Sequence, residues 1–147
     1  MDIESKKRLE LTNCLCASMR QSSRNISQIY NKHLKASGEK INANQVSILV
    51  TISQVDDGSI NKISNLLKME RTTLTRNLNV LKKAGWVKSN TGSDGRFTYI
   101  SLTANGNKVL SNVFPHWSKA QEQVQKILGG ELDSFRKNLK NINTNLI

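Results

Sequence analysis

Arg71 to Gly85 reads RTTLTRNLNVLKKAG. Leu74, Leu78 and Leu81 recur at helical spacing, so a helix over 71–84 turns one apolar stripe inward and leaves Arg71, Thr72, Thr73, Thr75, Arg76 and Asn79 on its polar side. Gly85 stops it, and Lys82 and Lys83 fall in the last turn, where the helix dipole favours cations. Upstream, Ile63, Leu66 and Leu67 form one face of a shorter helix, joined to the first by Lys68-Met69-Glu70. Two short helices joined by a tight turn, the second ending in glycine, make a helix-turn-helix.

Beyond Gly85 the chain turns strand-like. Trp86-Val87-Lys88 and Phe97 to Leu102 are rich in β-branched and aromatic residues, and the segment from Asn90 to Gly95 between them is built of turn formers. The pair reads as a hairpin whose polar loop is tipped by Arg96 and Lys88, a wing placed directly after the helix-turn-helix.

Longer helices flank this module. Residues 9–36 lack Gly and Pro, and Leu11, Leu15, Met19, Ser22, Ile26, Ile29 and Tyr30 recur at steps of three or four, which predicts one long helix ending near Ser37-Gly38. Asn42 or Asn44 caps the next, carrying Val46, Leu49, Val50 and Ile52 and stopping before Asp56-Asp57-Gly58; Ser59-Ile60 then supplies a short strand or a cap. Thr103 is placed to cap a helix through Val109, Leu110, Val113, Phe114, Trp117, Val124 and Leu128, with a kink expected near 111–115 because Pro115 removes an amide and crowds the preceding turn. Gly129-Gly130 ends it, and a last helix carries Leu132, Phe135, Leu139, Ile142 and Leu146.

The expected architecture is therefore mainly α with a small β-hairpin wing: a single domain over 1–147, with a winged helix-turn-helix at 42–103 between long helices at 9–36 and 104–146. The module is too small to cover both faces of those helices. Pairing them with a second copy buries them, and a two-fold dimer is the simplest symmetric solution; an intramolecular bundle is the alternative.

Charge points to the partner. The chain of 147 residues carries a net charge of +11, and residues 60–103 hold 8 basic groups against 2 acidic ones. Over half of the excess thus sits in under a third of the chain, which favours a polyanion bound by the module. No apolar run approaches the roughly 18 to 20 residues of a membrane span, and MDIESKKRLEL does not read as a secretory signal. Two cysteines, Cys14 and Cys16, are too few and too close to staple a fold, so a reducing, cytoplasmic setting is expected.

A recognition helix presents its N-terminal part and polar face to the major groove. Here that means Thr72, Thr73 and Thr75, whose hydroxyls and methyls suit base edges, Arg76, which can donate to guanine O6 and N7 together, and Asn79, which can pair with adenine. Arg96 suits a narrow minor groove, with Asp94 holding its guanidinium or making an Asx-turn. Lys62, Lys68 and Lys88 are candidate phosphate contacts.

Other chemistry is sparse. On one helix Cys14 and Cys16 would point about 200° apart, so one is expected near the packed face and the other exposed, with a sensor thiol near Arg20 as the functional alternative to simple packing. His33 and His116 add no compact ligand spacing, so neither metal nor cofactor is expected. Tyr30 and Trp117 are candidates to line an aromatic ligand pocket, or else fill core volume. With no Gly-rich phosphate loop, HExxH or nucleophile elbow, an enzyme is not expected.

MERTTLTRNL at 69–78, LKKAGWV at 81–87, DGR at 94–96 and LTANG at 102–106 together closely resemble the MarR family of winged-helix transcriptional regulators. Arg20, Tyr30 and Leu34 suit that family's first helix, and Phe114-Pro115-His116-Trp117 with Ala120-Gln121 its fifth. The resemblance implies a homodimer with intertwined terminal helices on a roughly palindromic operator. It places Thr72, Thr73, Thr75 and Arg76 in the major groove and Arg96 in the minor groove. It also implies a repressor released by a small ligand or by oxidation of a first-helix thiol. The chain departs from the family at Gly95, where the usual wing reads Asp-Arg-Arg, and at Glu70, where Asp is usual. A non-specific architectural DNA-binding protein and a thiol- or metal-dependent enzyme are the competing readings.

Overall fold

The computed structural model describes residues 2–8, 10, 13–56, 58–92, 95 and 98–145. Leu11, Asp57, Phe97 and Leu146, and with them the wing residues Asp94 and Arg96, lie outside the described residues.

The N-terminal region is not one helix. A short α1 (Ile3–Arg8) is separated from α2 (Leu15–Lys35) by a turn in which the amides of Asn13 and Cys14 both donate to the Glu10 carbonyl, at 2.9 and 3.2 Å. Asn13 Nδ2 also donates to the Lys7 carbonyl at 2.9 Å, so a side-chain amide takes an acceptor that a continuing helix would have used. The boundary expected at residue 9 accordingly moves to Leu15. Ile26, Ile29 and Tyr30 are half-buried and Leu34 fully buried, whereas Leu15 and Met19 are exposed.

α3 (Ala43–Gln54) starts at Asn42, whose side chain accepts from the Gln45 amide while Gln45 returns a bond to the Asn42 amide, a capping box that leaves Asn44 inside the first turn. Val46, Ile48, Leu49 and Ile52 face the core. Ser59 then does both things its position allowed: its hydroxyl accepts from the Lys62 amide at 3.3 Å, opening α4 (Ile60–Leu67), and its backbone bridges Tyr99.

α4 and α5 (Arg71–Lys83) form the helix-turn-helix around Ile63, Leu74, Leu78 and Leu81. Its turn is held by the largely buried Ser64, whose hydroxyl donates to the Met69 carbonyl at 2.6 Å. Between them Lys68 takes φ 50°, the left-handed region that costs a side-chain-bearing residue roughly 1 kcal/mol. Lys68→Gly is therefore expected to stabilise the fold by about 0.5 kcal/mol in urea melts while weakening DNA binding, since the same change removes a cation.

β1 (Val87–Thr91) and β2 (Thr98–Leu102) pair antiparallel from Val87↔Leu102 to Thr91↔Thr98, with Val87 and Ile100 turned inward. Thr103 caps α6 (Ala104–Leu128), its hydroxyl accepting from the Gly106 amide at 3.0 Å. The helix runs unbroken through Pro115; Pro115 and Ser111 both lie on its exposed side, so the carbonyl that loses its amide partner stays near solvent. A 3₁₀ turn at Gly129–Glu131 leads to α7 (Leu132–Asn145), which has no buried residue among those described.

Candidate nucleic-acid interface

On α5 the core stripe and the polar face are opposed. At about 100° per residue, Thr72, Arg76 and Asn79 fall on the side away from Leu74, Leu78 and Leu81, with Thr73 and Thr75 on its two flanks. All five polar residues are exposed. Lys62 at the start of α4, Lys68 in the turn and Lys88 on β1 are not buried either; Lys88, expected at the wing tip, instead pairs with Ser101 near the base of the hairpin, because β1 runs on through Thr91. Among the described residues none of these cations, nor Arg71 or Arg76, is held in an ion pair; the pair observed, Arg136 with Asp133 at 3.9 Å, is on α7. Among the described residues, the module thus presents cations that no ion pair within it neutralises.

Glu70 stands at the N-cap of α5 without a side-chain bond to the helix, as its extra methylene relative to Asp would lead one to expect. At the wing, Gly95 donates its amide to the Gly92 carbonyl at 2.9 Å and takes φ 70°. A side chain at this φ would be strained, so the backbone at Gly95 suits the glycine that replaces the arginine of the Asp-Arg-Arg wing.

Behind the module, Tyr30 and Trp117 meet with ring centroids 6.1 Å apart and face a cavity of about 370 Å³ that Ser27, Ala43, Asn44 and Ser47 also line. The Tyr30 hydroxyl donates to Gln121 Oε1, and burial pushes its pKa above the usual 10.0, keeping it a donor. On the far side of Trp117, Phe114 stacks on the indole, and a second, mostly apolar cavity of about 320 Å³ opens among Val46, Val50, Leu110 and Val113.

The cysteines differ from expectation. Cys14 is the N-cap residue of α2 with φ −90° and ψ 107°, so it is not on the helix with Cys16, and both thiols are free and exposed, with neither on the packed face. His33 pairs with Gln123 at 2.8 Å.

Three positional features were not anticipated from the sequence. Ser64 locks the helix-turn-helix turn, the amides of Asn44 and Asn77 meet between α3 and α5, and Gly58 and Gly106 allow close backbone approaches. For the glycines the signal was present, since each stands beside a structural boundary; the amide pair leaves no local pattern.

A helix-turn-helix followed by a two-stranded wing, hung between long terminal helices, defines the winged-helix class. The model of a winged helix DNA-binding domain matches residues 41–106. The transcriptional repressor MprA of Escherichia coli is 34% identical over 101 residues, 67% of this chain; the match spans 56% of that repressor's length. The structure of the Mycobacterium tuberculosis transcriptional regulator MosR in complex with DNA is 32% identical, with a TM-score of 0.80 over 89% of this chain and 94% of MosR. The Staphylococcus aureus MepR–DNA complex shares the fold at 19% identity, with a TM-score of 0.77 over 90% of this chain and 98% of MepR. The chain belongs to the MarR family of winged-helix transcriptional regulators.

Among the described residues no helix is long and apolar enough to cross a membrane.

Proposed function

We propose that the chain is a cytoplasmic, homodimeric repressor that binds a roughly palindromic DNA duplex, with α5 in the major groove and the wing on the adjacent minor groove. The observation that carries this is the α5 face itself: Thr72, Thr73, Thr75 and Arg76 are exposed together, with Arg76 in no ion pair among the described residues. MprA is named a repressor and MosR was crystallised on DNA, which supports extending the same role here. Arg96, with Asp94 as its support, is assigned to the minor groove from the sequence. No cofactor and no catalytic step are part of this reading.

Selection of bound duplexes from a random pool tests it. A palindrome with half-sites one helical turn apart, about 34 Å, is the expected outcome; uniform recovery of unrelated sequences identifies a non-specific architectural protein instead.

The dimer is supported by the terminal helices, where Leu15, Met19, Ile127, Phe135 and Ile142 are exposed in the single chain. Ile127 is 69% exposed, so a glutamate there costs the isolated fold little. Ile127→Glu is expected to shift sedimentation from dimer to monomer with the helical signal retained, and to lower operator affinity more than about tenfold by uncoupling the two half-sites.

Release from DNA has two candidate triggers. The cavity faced by Tyr30 and Trp117 suits a small planar ligand, aromatic on one side and polar on the other. Cys14 and Cys16 suit an oxidant because both thiols are exposed at the start of α2. Operator binding of the native and Cys14→Ser/Cys16→Ser chains after peroxide treatment tests the second: release of the native chain alone assigns it to the thiols, and equal behaviour of the two chains removes them.

A further inference from the structure

Asn44 and Asn77 have no part in the DNA contacts proposed for α5 and the wing, yet they lie where the cavity and the reading helix meet. Asn77 Nδ2 donates to the Thr73 carbonyl at 2.9 Å, one turn back along α5. That bond fixes the amide so that its Oδ1 accepts from Asn44 Nδ2 at 3.4 Å, across the seam between α3 and α5. Asn44 is held in turn. It occupies the first turn of α3, where the capping box closes and Asn31 on α2 accepts from the Ala43 amide at 2.7 Å. Asn44 also lines the cavity faced by Tyr30 and Trp117. A continuous series of contacts therefore runs from the cavity wall through two amides to Thr73.

We propose that Asn44 is a positioning residue for the recognition helix: its bond to Asn77 sets how α5 lies against α3, and filling the cavity loosens that setting by displacing Asn44. The proposal rests on α5 being the base-reading element. Its chemistry predicts a particular signature. An uncharged amide pair adds nothing to phosphate attraction, so losing it changes the fit of α5 in the groove and leaves the salt dependence of binding as it was. Two copies act in the dimer, each with the modest net effect of one hydrogen bond, which amounts to roughly a five- to tenfold loss of specific affinity.

The test uses the full chain, a duplex recovered from the random pool, and a scrambled duplex of equal length at two salt concentrations. Asn44→Ala and Asn77→Ala are each expected to cost the specific duplex roughly five- to tenfold. The double variant should lose no more than either single one, and the scrambled duplex should bind as before. Ser47→Phe, which places a ring in the cavity one turn from Asn44, supplies occupancy without a ligand. It should lower specific affinity in the native background and add nothing to Asn77→Ala. Thermal melts accompany each variant, and Asn44→Ser gives the same reading if the alanine proves unstable. Additive losses, an equal loss on scrambled DNA, or a Ser47→Phe effect that is absent or survives Asn77→Ala overturns the proposal. A native chain that binds both duplexes equally overturns the base-reading assignment beneath it, a result separable from all of these.

Discussion

Gly106→Ala is expected to destabilise the fold by about 3 kcal/mol or more, lowering the melting temperature by roughly 10 °C, because overpacking against rigid backbone has no side chain to yield. A Cβ on Gly106 would stand 2.1 Å from the Trp86 carbonyl oxygen. That oxygen cannot retreat, since it accepts from the Thr103 amide at 3.0 Å. Thr103 completes the joint by donating its hydroxyl to the Gly85 carbonyl at 2.6 Å while accepting from the Gly106 amide. Four residues thus weld the end of the recognition helix to the start of α6. The internal control is Gly130, where an added Cβ meets nothing within 4 Å; alanine there should be neutral or stabilising by about 0.5 kcal/mol. Thermal unfolding followed by circular dichroism reads both. A Gly106→Ala chain within about 1 kcal/mol of the native one would mean that α6 can shift on the module. In the dimer proposed above the joint would bear on function as well as stability, because a rigid link between α5 and the terminal helices would fix the separation of the two α5 helices.

That joint shows what the sequence could and could not disclose. Thr103 as a cap and Gly85 as a stop were both readable, since each rests on local chemistry written within a turn or two of the residue. The same holds for the Leu74, Leu78 and Leu81 stripe and for the existence of the hairpin, although β1 runs on through Thr91 and takes Asn90 and Thr91 out of the expected loop. The meeting of Gly106 with Trp86 was not readable, because it depends on how α6 is carried back over the hairpin. The break before Leu15 was hidden for a related reason. Asn13 is an ordinary polar residue in an uninterrupted helical pattern, and its part in ending α1 appears only once its amide is seen on the Lys7 carbonyl. Cys14 consequently sits at a cap, with its thiol exposed. On α5 the exposure of Thr72, Thr75 and Arg76 was readable from periodicity, whereas the pairing of Asn77 with Asn44 joins residues 33 positions apart on different helices. Pairwise contacts between elements leave no period in the chain.

Arg76→Ala carries the largest expected effect on binding. The side chain is exposed and makes no ion pair among the described residues, and alanine is the better helix former, so the melting temperature should hold or rise slightly. Any loss of DNA affinity then belongs to the interface. A guanidinium bridging guanine O6 and N7 is worth about 1 to 3 kcal/mol per base pair read, and a two-fold dimer uses it twice. The expected penalty is about 4 kcal/mol on a selected duplex, on the order of a thousandfold, with preference relaxed at one base pair in each half-site. Arg76→Lys separates charge from geometry: the ammonium keeps the phosphate attraction and loses the bidentate fork, so affinity for scrambled DNA should return while discrimination does not. Lys62→Ala supplies the contrast. Its loss should weaken all duplexes alike and reduce the salt slope by about two, one phosphate per subunit. Titrations of the three variants against matched and scrambled duplexes at two salt concentrations decide the matter. If Arg76→Ala keeps the selected duplex within about threefold of native affinity, under about 1 kcal/mol, base reading passes to Thr72, Thr73 and Thr75, and Arg76 becomes one phosphate contact among several.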